Sequence, residues 1–125
     1  MAVVSNPNIS ITRGDTYVET WACKQSDGVS ILDLTGAKLW FTIKTASTVA
    51  DGSATLQLSS PASGIVLSGT PTDGTATMTM TAVQTAALTP QSYVYDIQVK
   101  LSSGTIWTLA SGTLTVNSDI TQATS

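Results

Sequence analysis

Histidine is absent from this chain, and with it go the commonest general base and the commonest side-chain metal ligand. The many serines and the single cysteine, Cys23, have no imidazole to activate them. A Ser–Lys pair or an aspartate dyad is formally open, but no spacing brings candidates together, so neither an enzyme nor a cofactor is expected. One cysteine excludes an intramolecular disulfide and any thiolate metal cluster within the chain. Charge is scarce as well: five Lys and Arg against eight Asp and Glu make 10% of the residues and a net charge of -3. The basic residues stand singly and form no stripe along a phosphate backbone, so nucleic acid is not an expected partner. No apolar run approaches the ~20 residues of a membrane span, and the opening MAVV is too short for a signal-peptide core. Membrane insertion is not expected, and synthesis in the cytoplasm is.

What the chain does have is hydrophobic residues, 42% of 125, a length at which one domain hides about 65% of its unfolded surface. With so few charges, the surface must be covered by hydroxyls and some apolar side chains, which favours association into an oligomer.

The cleanest pattern is Ser92 to Leu101, where Tyr93, Tyr95, Ile97, Val99 and Leu101 alternate with Val94, Asp96, Gln98 and Lys100. A period of two with polar atoms on one side predicts a strand between core and water. Turn formers bound it at LTPQ and SSGT. Earlier, Asn8 to Arg13 reads as a short strand, Arg13-Gly14-Asp15 as a turn, and Thr16 to Gln25 as a second strand whose inward face the pattern leaves open. Ser26-Asp27-Gly28 predicts a hairpin, with Val29 to Leu34 returning as a short strand. Ala37 to Thr45 places Leu39, Phe41 and Ile43 on one face and Trp40 on the solvent side.

A polar loop, Ala46 to Gly52, holds an Asp-Gly turn. Ala54 to Leu58, Ile65 to Leu67 and Thr75 to Thr81 are further short strands, divided by Pro61, Gly64, Gly69, Pro71 and Gly74. Thr81 to Leu88 is the one plausible helix, capped by Thr81 or its predecessor and closed before Pro90. Thr105 to Ala110 and Thr113 to Val116 are expected to join into one bent strand, with a bulge at Ser111-Gly112.

This predicts an all-β fold: an immunoglobulin-like β-sandwich of seven to nine strands, with at most one short helix near 81–88. Residues 1–8 form an N-terminal arm, 9–116 the domain, and 117–125 a polar tail. The stretch LTPQSYVY resembles the corner of immunoglobulin-like domains, where a helical turn enters a strand that opens with Tyr. That resemblance makes Tyr93 the corner tyrosine and puts Tyr95 in the place of the disulfide cysteine.

Among candidate contact residues, Trp40 on the solvent side of its strand reads first as an outer-face aromatic covered by a loop of the same chain and second as an interface contact. Asp15, Asp27, Asp33, Asp51 and Asp73 lie beside turn residues and read as turn chemistry, without the spacing of a calcium loop. Asp96 stands within a strand and is expected to hold a neighbouring loop through backbone N–H groups. Arg13-Gly14-Asp15 spells a tripeptide read by integrins, but its place between two strands predicts a plain turn.

Four segments, ITRGDT, DLTGAKLWFTIK, YVYDIQV and SGTLTVNSDIT, occur in that order. Together they resemble a group of small tailed-bacteriophage proteins related to the N-terminal domain of the upper baseplate protein. The resemblance spans most of the chain and leaves 46–71 unmatched. It implies a non-enzymatic virion component, a tail, baseplate or fibre-attachment adaptor, located in the virion and oligomeric within the particle. Its partners would be tail, baseplate, fibre or capsid subunits. A head decoration protein is the second placement. An immunoglobulin-like carbohydrate-binding module is the alternative, with Trp21, Trp40 and Trp107 as stacking faces for sugar rings.

Overall fold

Two sheets gather the alternating segments. The computed structural model describes residues 8–25, 27, 29–46, 48, 54–60 and 64–118. The expected arm before Asn8, the tail beyond Ser118, Ser26 and Gly28 of the hairpin, the Asp51-Gly52 turn and Pro61 lie outside the described residues. The strands are β1 Ile9–Thr12, β2 Tyr17–Ala22, β3 Lys38–Lys44, β4 Leu56–Ser59, β5 Ile65–Leu67, β6 Thr75–Met80, β7 Ser92–Lys100 and β8 Ile106–Asn117. One short helix, α1 Ala82–Ala86, joins β6 to β7.

The larger sheet is ordered β1-β8-β7-β3-β4 and the smaller β2-β6-β5. Every pairing is antiparallel except β1 with β8. The chain is thus an all-β sandwich of the immunoglobulin-like kind, with β3, β7 and β8 in one sheet facing β2, β6 and β5 in the other. Tyr93, Tyr95, Ile97 and Val99 of β7 face inward together with Leu39, Phe41 and Ile43 of β3, all buried. From the smaller sheet, Trp21, Ala76, Met78, Met80 and Ile65 close the core. The face of β2 that the sequence left open is settled by its partner: Tyr17, Glu19 and Trp21 oppose Met80, Met78 and Ala76.

The expected corner forms, since the Tyr93 hydroxyl donates to the Thr89 carbonyl at 2.8 Å. In the place of a disulfide is an aromatic stack. Trp21 and Phe41 have ring centroids 6.0 Å apart and Phe41 and Tyr95 5.4 Å apart, both tilted and within the range of favourable ring pairs. Trp21 belongs to the smaller sheet and the other two to the larger, so the stack ties the layers together. Gly112 pairs with Tyr95 across β7 and β8, leaving no side chain beside the phenol on the inner face.

Two local expectations are corrected. Val29 to Leu34 is not a strand: only an isolated bridge, Lys24 with Ile31, pairs the hairpin. The Asp27 carboxylate takes the Val29 and Ser30 N–H groups at 2.9 and 2.8 Å, and Leu32 and Leu34 sink into the core on either side of an Asp33 turn. The bulge in β8 also lies elsewhere. Ile97 pairs with Ala110 and Gln98 with Thr108, so the extra residue is Leu109, which is buried. Inserting it there keeps both Trp107 and Ala110 on the inner side of the strand, and Gly112 stays in register.

Helix α1 has the expected cap. Thr81 Oγ1 accepts from Gln84 N–H at 3.2 Å, while the Gln84 side chain accepts from Thr81 N–H at 2.9 Å, a capping box. One residue of the helix does more. Thr85, fully buried, donates to the Asp15 carbonyl at 2.7 Å and accepts from Gly14 N–H at 3.1 Å. It thereby clamps the Arg13-Gly14-Asp15 turn, in which Asp15 N–H bonds the Thr12 carbonyl at 3.1 Å. Thr85→Val keeps the shape but leaves both turn groups unpaired, and a loss of about 1–3 kcal/mol is expected in urea unfolding. A loss below about 0.5 kcal/mol would show that the clamp is dispensable.

Candidate binding surface

The outer face of the five-stranded sheet is where the inward alternation of β3 and β7 leaves its polar counterpart. Trp40, Thr42 and Lys44 project from β3; Val94, Asp96 and Gln98 project from β7. Register sets their neighbours: Trp40 lies between Ser59 and Gln98, Thr42 between Gln57 and Asp96, and Asp96 between Thr42 and Ser111. Gln57 Nε2 donates to Thr42 Oγ1 at 3.0 Å, which orders this part of the surface. A groove of about 310 Å³ opens here, lined among others by Thr42, Lys44, Val94, Asp96 and Ser111. It offers hydroxyls, one small apolar side chain and groups of both charge signs. Trp40, half-buried, stands one pleat along β3 from it.

The remaining predicted residues are distributed. Trp21 is 1% exposed and its indole N–H has no hydrogen-bond partner among the described residues. Trp107, half-buried, packs against the core on the inner side of β8. Tyr93 and Tyr95 are core residues. Arg13 lines a second groove, about 360 Å³, with Ala86 to Pro90 and Ser118 at the end of α1. Asp15 is exposed, but its carbonyl is held by Thr85. The structure therefore brings Trp40 and Asp96 to one face, where Tyr95, though a core residue, also lines the groove, and separates the other five from it.

Titratable groups report on burial. Glu19 lies half-buried on the inner side of β2 and accepts a hydrogen bond from the Tyr17 hydroxyl. Burial first, and then that bond, raises the Tyr17 pKa. Tyr95 is pushed up to about 12 by burial and, secondarily, by the Glu19 charge. Burial also raises the Cys23 thiol to about 11, which makes it a poor nucleophile. Asp27, bonded by the Ser30 hydroxyl and two backbone N–H groups, is lowered to about 2, and Asp33 is lowered by the Thr35 hydroxyl and N–H. Both are turn residues, as expected. Among the described residues no three His, Cys, Asp or Glu converge as metal ligands, and no helix is long and apolar enough to cross a membrane.

An alkaline prediction follows from Tyr95. An unfolded tyrosine ionises near 10, whereas the folded chain holds this proton to about 12. The contribution to stability is therefore complete below about pH 10 and is lost as pH climbs toward 12. Phenolate absorbance should develop together with loss of near-ultraviolet circular dichroism. Complete ionisation of all three tyrosines near pH 10 with the fold intact would contradict this.

Three residues that matter escaped the sequence reading: Phe41 as the middle of the aromatic stack, Thr85 as the clamp, and Gly74 as a point of close backbone approach. The capping signal located α1, but nothing local marks Thr85 as facing a turn seventy residues away.

No family model matches the chain, and no curated protein matches it. Among solved structures, the chain is similar to CopC from Methylosinus trichosporium OB3b, with a TM-score of 0.53, 12% identity, and 98% of this chain and 99% of that one covered. At that identity the likeness is one of fold, the β-sandwich itself. It corrects the functional expectation. The likeness that runs from end to end is to a CopC, which lends the expected virion subunit, adaptor or head decoration, no support, and that expectation is not retained. The carbohydrate-binding alternative falls with it on geometry: Trp21 is sealed in the core and Trp107 faces inward, so the three indoles make no common platform.

Proposed function

We propose that this chain is a non-enzymatic recognition domain that engages a protein partner through the outer face of its five-stranded sheet. The observation behind this reading is the groove over β3, β7 and β8, which sets Lys44 and Asp96 beside hydroxyls on a rigid sheet, with Trp40 at its side. A tryptophan flanked by polar groups suits the centre of a protein interface. The chain has no histidine, so the commonest general base is not available to this surface, which favours recognition over catalysis.

The test is selection of a ribosome-displayed library of random peptides on the immobilised, folded domain. Enriched peptides are expected to lose at least tenfold in affinity for Trp40→Ala and for Lys44→Glu while circular dichroism remains unchanged. Val83→Ser, on the exposed side of α1, should have no effect. No enrichment over a blank surface, or peptides indifferent to Trp40→Ala, would overturn the reading.

A further inference from the structure

Among the described residues the smaller sheet ends on β2, which pairs with β6 on one side only. Its open edge can be read residue by residue. Cys23 N–H bonds the Gly74 carbonyl at 2.8 Å, continuing the β2–β6 register, and Thr79 N–H bonds the Gly64 carbonyl at 2.9 Å on the far side of β6. Backbone groups alternate along an antiparallel strand, so Tyr17, Glu19 and Trp21 spend theirs on β6. Val18, Thr20 and Ala22 direct theirs to the open edge, unpaired among the described residues.

Of the usual guards of an edge strand, Lys and Pro are missing here and one inward-pointing charge is present. The segment YVETWA contains no Pro, Lys or Gly, and its one charge, Glu19, turns inward to the Tyr17 hydroxyl. The side chains beside the edge are uncharged: Val18 is 56% exposed, Ala22 and Thr20 are exposed, and Thr20 Oγ1 lies 3.3 Å from Thr77 Oγ1 on β6. An edge of this kind is a template for another strand.

We infer that β2 pairs antiparallel with β2 of a second copy of this chain, about a two-fold axis at Thr20. Self-complementarity points to that occupant. The two-fold register sets Thr20 against the partner's Thr20, Val18 against the partner's Ala22, and Glu19 against the partner's Trp21, so no like charges oppose. It also brings exposed Asp15 of one copy to within one residue of the partner's Lys24, at both ends of the strand pair. The interface is isologous and closes on itself, joining two three-stranded sheets into six. One short edge offers less surface than the roughly 1,200 Å² of a stable complex, so the dimer is concentration-dependent. The large-sheet face proposed above for recognition lies on the other layer and remains available.

Cysteine cross-linking tests both the pairing and its register. Facing residues of a hydrogen-bonded antiparallel pair have Cα atoms about 5.5 Å apart, within the roughly 4.4–6.8 Å of disulfides. Under mild oxidation at increasing protein concentration, Thr20→Cys is expected to form a disulfide-linked dimer at least tenfold faster than Thr77→Cys, which sits on the central strand. Val18→Cys and Ala22→Cys should each stay monomeric alone and cross-link when mixed, which keeps the test valid if Thr20→Cys folds poorly. Cross-linking of Thr20→Cys no faster than Thr77→Cys, with no hetero-dimer in the mixture, would overturn the inference. So would a Thr20→Cys thiol shielded from maleimide in the monomer, because the edge would then be covered by the chain's own residues.

Discussion

Gly74→Ala is expected to lower the stability of the domain by about 3 kcal/mol or more, with a fall in Tm on the order of 10 °C. Two causes add. Gly74 has φ +68, where an alanine costs about 1–2 kcal/mol. A Cβ there would also lie 2.7 Å from Ile31 Cγ2, 2.7 Å from the Leu32 carbonyl oxygen and 3.0 Å from that of Cys23. Two of these three atoms are backbone, held by Cys23 N–H to the Gly74 carbonyl and Leu32 N–H to the Cys23 carbonyl, so relief requires the hairpin to move, at about 1–3 kcal/mol. Two companions separate the causes. Gly104→Ala, at φ +93 with nothing within 4 Å, should show the conformational cost alone, about 1–2 kcal/mol. Gly69→Ala, with no positive φ and open space, should be close to neutral. Urea unfolding of the three variants measures this; a Gly74→Ala variant no worse than Gly104→Ala would show that the close approach is absent.

Phe41→Ala should be comparably damaging, at about 3–5 kcal/mol. Phe41 is fully buried at the centre of the sandwich and touches Trp21 of the opposing sheet and Tyr95 of its own. Its removal therefore opens a cavity between layers that have no covalent link, since Cys23 is the chain's one cysteine. Phe41→Leu, which keeps most of the volume but loses both ring pairs, should cost on the order of 1–1.5 kcal/mol. Equal losses for the two variants would mean that side-chain volume contributes little here. A loss below about 1 kcal/mol for Phe41→Ala would remove the stack from the account of what joins the sheets.

The legible parts of the fold were those written in local pattern. The alternation in SYVYDIQVKL is dictated by a strand with one face in the core, and β7 covers Ser92–Lys100 as that pattern requires. Thr81 and Gln84 mark a helix start by chemistry contained within four residues, and LTPQSYVY held the corner because the Tyr93 bond spans only four. The illegible parts depend on distant partners. Trp21 alternates with Val18, Thr20 and Ala22 in a way that fits either face, and only pairing with Ala76 on β6 decides that the indole is core. Leu109 displaces Gly112 as the bulge because of what lies across on β7, where Ile97 and Gln98 take non-successive partners. Leu32 and Leu34 read as a strand because spacing by two is shared by a ladder and by a loop that drops two side chains into a core.

The binding surface was half visible for the same reason. Trp40 and Asp96 follow from the alternation of their own strands, so their outward placement could be read directly. That they share a face with Ser111 and Gln57 could not, because it needs the order β8-β7-β3-β4. Trp107 misled, since Ile106 and Thr108 around it gave no preference between faces.

The most direct test of the recognition surface is backbone-amide NMR mapping of the folded domain titrated with a peptide selected on it. The largest shifts are expected at Trp40, Thr42, Lys44, Val94, Asp96 and Ser111, with β2 and α1 unmoved. Shifts centred on the groove at Arg13 and Ala86 to Pro90, or on Val18 to Ala22, would contradict it.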